Sequence, residues 1–136
     1  MHDSKLQFSL LFMRLTIFLV LLVWTLDKFI NPEHAAAVYQ KFYFLGIGQS
    51  VVYILGAIEL VILFAFVAGA FKTITYGLVV AFHAVSTLSG WQQYLSPYTD
   101  YHLLFFAAWP MWAACLALYM LRDEDTKFTV SNKSVA

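Results

Sequence analysis

The chain has 136 residues, of which 62% are hydrophobic, 18% aromatic and only 12% charged, and its mean hydropathy is +0.74. A water-soluble domain carries about 25% charged residues, so this chain lacks the polar surface to cover a globule of its size and belongs in a bilayer. Eight Lys and Arg balance eight Asp and Glu, which removes the basic field a nucleic-acid partner would need. The lone Cys115 excludes an intrachain disulfide, a dithiol redox pair and a cysteine-rich metal site.

A hydrocarbon core about 30 Å thick needs roughly 20 apolar residues of helix, and four segments come near that. The first is 6–26. A cleaved signal peptide is the competing reading, but the run is long, it carries Arg14, and no small-residue cleavage site precedes Asp27. Next, Asn31-Pro32-Glu33 reads as N-cap, proline at the first helical position and an acid in the first turn, which predicts a short interfacial helix over about 32–45. The apolar stretch 42–71 exceeds one straight span, and Gly46 and Gly48 suggest a bend before a core at 50–69. The two-residue turn Ala70-Phe71 then makes a third span, 72–89, antiparallel to the second. Residues 90–101 gather Trp91, Gln92, Gln93, Tyr94, Pro97 and Tyr98, rings and amides suited to the headgroup layer. A fourth span, 102–121, contains Pro110, a kink that neighbouring helices can accommodate. The polar tail 122–136, with Asp123-Glu124-Asp125, is expected to fray beyond one turn. The expected fold is therefore all-α: a four-transmembrane-helix bundle over residues 1–121, with a short extracytoplasmic interfacial helix.

Positive charge sets the direction. With both termini in the cytoplasm, that side receives Lys5, Lys72, Arg122, Lys127 and Lys133, and the far side only Lys28 and Lys41, which predicts termini inside.

Counted inward from the cytoplasmic ends, Arg14, Glu59 and His83 lie about 12, 15 and 16 Å deep at 1.5 Å per residue. A lone charge at mid-span costs on the order of 3 kcal/mol, so inward pairing is expected, with Arg14 and Glu59 as an ion pair and His83 beside it. At 100° per residue, Gln7, Arg14, Leu21 and Thr25 share a face, as do Gly48, Val52, Gly56 and Glu59; Lys72, Tyr76, His83, Thr87 and Gly90; and His102, Trp109 and Ala113. This seam, with Arg14, Glu59, Tyr76, His83 and Trp109, is the candidate ligand site, and its competing interpretation is a structural polar lock. Asp27, Lys28, His34, Trp91, Tyr94 and His102 are outer-face candidates. His34 and His102 lack ligand spacing on a common helix, so no metal site is assigned. Cys115 reads as a buried packing residue.

Arg14, the run Trp24-Thr25-Leu26-Asp27-Lys28-Phe29, the run Gly56-Ala57-Ile58-Glu59 and the turn Gly69-Ala70-Phe71-Lys72 together resemble the DoxX-like family of small four-helix membrane proteins, over roughly residues 6–121. Thr25 stands where that family usually has glycine. The resemblance implies kinship with membrane subunits of thiosulfate:quinone oxidoreductase and with relatives that assist redox enzymes without catalysis. Carried over by position, it makes Arg14, Asp27, Lys28 and Glu59 the family-like polar residues. The expectation is a bacterial inner-membrane subunit or partner of a respiratory or redox complex, or a homo-oligomer, with quinone as the cofactor its cleft would suit. The rivals are a noncatalytic assembly or anchoring subunit, and a small solute or ion transporter. Without a nucleotide loop, metal motif or nucleophile triad, catalysis by this chain alone is not expected.

Overall fold

The computed structural model describes residues 3–130, whose regular structure is all helical, with no strand among them. Helix α1 runs Ser4–Ile30, α2 Pro32–Tyr43, α3 Gln49–Val67, α4 Lys72–Ser89, α5 Trp91–Tyr94, and α6 Ala108–Met120, with a 3-10 segment, His102–Ala107, leading into α6. Three stretches, Ser4–Ile30, Gln49–Val67 and His102–Met120, are long and apolar enough to cross a membrane. Helix α4 carries Lys72, Thr73, Thr75, His83, Ser86, Thr87 and Ser89 and is the most polar of the long helices.

Local signals explain the boundaries. The Asp3 side chain accepts from the Lys5 amide at 3.0 Å and starts α1. Asn31 closes α1, and Pro32 opens α2 at a position where its missing N–H is not needed. Pro110 falls in the first turn of α6, so no hydrogen bond inside the helix is lost, and the irregularity expected within a fourth span is met by the 3-10 turns before it.

Helix α1 packs along α3 and helix α4 along α6, and α1–α6 and α3–α4 contacts join the two pairs. Leu10, Ile17, Leu63, Phe66, Tyr76, Val79, Cys115 and Leu118 form the apolar core. The buried face of α1 also holds Arg14, Thr25 and Lys28, and that of α4 holds Lys72, Thr75, His83 and Thr87. Outward, Phe8, Phe12, Leu15, Leu19 and Val23 make one exposed stripe on α1, and Ile54, Ile58, Val61 and Phe64 another on α3. A continuous apolar surface of this kind would aggregate in water and is suited to lipid.

The expected seam on the fourth span is not the buried one. Trp109 is 41% exposed and Ala113 is exposed, while Cys115 and Leu118 face the core. The 100° count carried from His102 crosses a 3-10 segment, where each residue turns about 120°, and this rotates the phase of everything after it.

Close approach of α1 and α3 depends on Gly56. A β-carbon there would lie 2.7 Å from the Phe29 ring and 3.3 Å from the Lys28 β-carbon. Gly56→Val is expected to push the two helices apart and destabilise the fold by about 1–3 kcal/mol, the usual cost of overpacking. A thermal midpoint equal to that of the wild type would contradict this.

Candidate functional site

The ionisable residues expected in one layer occupy three separate places. At one end of the bundle, α1 is 27 residues long, about 40 Å, and α3 is 19, about 28 Å. The first turns of α1 therefore overshoot the α3–α4 turn and leave a notch, which residues 122–130 fill. Gln7 donates to the Glu124 carbonyl, and its amide oxygen accepts from the Thr126 amide at 3.2 Å and hydroxyl at 2.9 Å. The Val130 amide donates to the Ala68 carbonyl at 2.8 Å. Gly69, at φ +71°, brings its backbone so close to Thr129 that a β-carbon would stand 2.5 Å from the Thr129 β-carbon. The segment is a folded cap, and the expected fraying beyond one turn does not hold for residues 122–130. Residues 131–136 lie outside the described part.

Arg14 reaches this cap and not Glu59. Its Nη1 donates to Asp125 Oδ1 at 2.6 Å, its Nη2 to the Lys127 and Phe128 carbonyls at 2.7 and 3.2 Å, and its Nε to the Val67 carbonyl at 3.1 Å. The Tyr76 hydroxyl donates to Asp125 Oδ2 at 2.6 Å. Lys72 Nζ donates to the main-chain carbonyls of Arg122 and Asp125. Arg14, Lys72, Tyr76 and Asp125 are all 0–1% exposed, so a buried ion pair is saturated by further hydrogen bonds. The depth count failed because it assumed α1 enters the bundle level with its neighbours.

The second place is the far end of α1. Lys28 Nζ pairs with Glu59 Oε1 at 2.9 Å and lies 5.6 Å from the centre of the Tyr39 ring on α2. One helical step away, Asp27 Oδ2 accepts from His34 Nδ1 at 2.6 Å; since a carboxylate only accepts, that ring nitrogen carries the proton. These contacts tie α2 to α1 and leave between them a crevice lined by Trp24, Asp27, Lys28, Ala35, Val38 and Tyr39, of about 20 Å³, room for one water. Burial, with Glu59 and Tyr43 nearby, pushes the Tyr39 phenol up to about 12, so it remains a neutral donor at physiological pH.

The third place surrounds α5. His83 Nε2 donates to the Ala108 carbonyl at 3.2 Å, and the Thr87 hydroxyl donates to the His83 carbonyl at 2.7 Å. The Tyr94 hydroxyl, its pKa raised by burial, donates to the Thr87 carbonyl at 2.7 Å, and its ring packs on Phe106 and Trp109 at 5.1 and 5.5 Å. His102 Nδ1 donates to the Ser96 carbonyl at 2.8 Å. Trp91 is half-exposed, at 52%. His83 is thus joined to neither Arg14 nor Glu59, and Trp109 lines no common cleft with them.

No protein-family model, curated protein or solved structure matches the chain. The geometry therefore carries the functional argument. Among the described residues, no three His, Cys, Asp or Glu side chains gather as metal ligands, and Gln93 Oε1 is the one buried side-chain polar atom without a hydrogen bond. Each of the three polar places is spent on joining one structural element to another: the cap to α1, α3 and α4; α2 to α1 and α3; and α4 to α5 and α6.

Sequence reasoning missed Lys72, Asp125 and Gln7 as members of one network. A signal was present: an arginine inside a span needs a carboxylate, and the only acidic run on the Arg14 side is Asp123-Glu124-Asp125.

Proposed function

We propose that this chain is a four-helix integral membrane protein of DoxX-like kind, in the inner membrane of a bacterium with both termini cytoplasmic. In this reading it serves a respiratory or redox complex as a noncatalytic anchoring or assembly subunit. One observation carries the choice of role: Arg14, Glu59 and His83, the groups that would have formed a quinone-binding layer, each hold a different pair of structural elements together. Groups spent on three separate joints suit a structural role, although not as the single polar layer expected, whereas a quinone site requires the same groups to converge on one cleft. The apolar outer stripes of α1 and α3 support the membrane setting, and the excess of Lys and Arg on the side of the 122–130 cap supports the orientation. The α2 helix and the 90–101 loop then face the periplasm, where exposed Trp91, Tyr98 and Tyr101 suit the headgroup layer.

Affinity purification from native membranes in mild detergent, followed by lipid extraction, tests the role. The expected result is a stoichiometric redox-enzyme partner and no quinone retained by the chain. A quinone retained by the purified chain and lost on His83→Phe would favour the ligand-site reading, and a chain recovered without any partner would remove the anchoring one. For the orientation, an impermeant thiol reagent applied outside to a Cys115→Ser background should label Leu95→Cys and spare Val130→Cys; the opposite pattern inverts the topology.

A further inference from the structure

The cap's carboxylate sits among donors that belong to the long helices, two of which, Arg14 and Lys72, also hold the cap's main-chain carbonyls. Arg14 comes from α1 and Tyr76 from α4, and together they present one donor to each oxygen of Asp125, both at 2.6 Å. The guanidinium is aimed by its Nε bond to the Val67 carbonyl at the end of α3, a contact that involves no cap residue. Lys72, fully buried on the first turn of α4, adds a second cation directed at the cap's main chain. All three donors are thus held on helices, while the acceptor arrives on an irregular segment 111 residues away from Arg14 in sequence. Phe128 in that segment is held at φ +55°, in the left-handed region that disfavours side chains, and it is 78% exposed; Val130 is 73% exposed. The donors stand on regular helices, whereas the segment that brings the acceptor encloses Asp125 completely but is strained at Phe128 and leaves its 128 and 130 side chains exposed.

We propose that Arg14 and Tyr76, with Lys72 behind them, form a binding site for a small carboxylate, and that Asp125 is an internal ligand which such a molecule displaces, releasing residues 122–130 from the end of the bundle. A planar monoanion with two acceptor oxygens matches one guanidinium donor and one phenol donor, and burial excludes a hydrated bulky anion. In the proposed orientation this end of the bundle faces the cytoplasm, and release of the cap would uncover the buried Arg14, Lys72 and Tyr76.

The test uses the full chain in detergent micelles, with sodium formate as probe and sodium chloride at equal ionic strength as control. Asp125→Gly should unfold at a lower temperature than wild type, and formate should raise its midpoint along a saturating curve that chloride does not reproduce. Adding Arg14→Gln should abolish the formate response. A fluorophore on Val130→Cys, in a Cys115→Ser background, reads release of the cap: its anisotropy should fall as formate is added, at lower concentration when Asp125→Asn is also present. If Asp125→Gly is recovered folded only when formate is present during purification, that supports the site; if it is recovered in neither buffer, or is stabilised equally by chloride, the site is refuted. A label on otherwise wild-type protein that formate never mobilises also overturns the proposal, leaving Asp125 as a permanent structural member.

Discussion

Replacing Asp125 with alanine is expected to destabilise the folded bundle by about 3–5 kcal/mol, the scale for removing one partner of a buried ion pair. The change leaves the Arg14 guanidinium, 1% exposed, with carbonyl partners and no anion, and it removes the acceptor of the Tyr76 hydroxyl in the same step. Arg14→Met leaves a buried carboxylate instead, which keeps the Tyr76 hydroxyl as a donor and Lys72 as a nearby cation, so the loss should be smaller. In Arg14→Met/Asp125→Leu neither member of the pair is left without the other, although Lys72 keeps only its carbonyl partners, and the double variant should be more stable than the sum of the two single losses predicts. Unfolding midpoints in a graded denaturing detergent measure all three. Single losses that simply add would mean that the 2.6 Å contact contributes no coupling.

Glu59→Ala is expected to cost less, about 2 kcal/mol, the scale of one charge-assisted hydrogen bond. Lys28 then keeps only the Tyr39 ring face at 5.6 Å, but its long stem allows the ammonium to reach toward the membrane surface and recover water. The consequence should be local. Because Lys28 and Glu59 tie α1 to α3 beneath α2, hydrogen exchange should quicken in α2, Pro32–Tyr43, before it does in α4. Lys28→Met added to Glu59→Ala should restore most of the stability. Uniformly faster exchange across all helices would show that the pair supports the whole bundle and not the α1–α2–α3 corner.

What the sequence makes readable follows from which forces are local. The bounds of the third expected span, 72–89, coincide with α4, Lys72–Ser89, since the turn before it and Gly90 after it are signals within a residue or two of its ends, but this helix is not among the three stretches long and apolar enough to cross a membrane. Buried Arg14, Tyr76, His83 and Thr87 fall on the faces the 100° count assigns, because uninterrupted α-helix keeps its phase. The count fails at Trp109, where six 3-10 residues intervene, and no residue in 102–107 announces that geometry. Pairing was harder to read. Arg14 has acceptable carboxylates in Glu59 and Asp125, and the choice rests on how far α1 overshoots the α3–α4 turn, a tertiary quantity. A run of three acids in a polar tail reads as solvated, and only the folded notch shows that one of the three is completely enclosed.

The 111 residues between Arg14 and Asp125 also set a timetable for assembly. At about 5–20 residues per second of synthesis, roughly 6–22 s separate the appearance of the cation from that of its partner. Helix α1 is complete while the carboxylate that neutralises its arginine has yet to be synthesised, and in that interval the guanidinium must find other partners, such as water or lipid headgroups. The ion pair therefore cannot help α1 to find its place early; it can form only after the helices between its two partners have been made. A chain cut before residue 125 would contain all the helices and still lack the carboxylate that neutralises the buried arginine, so an unsatisfied guanidinium would mark it.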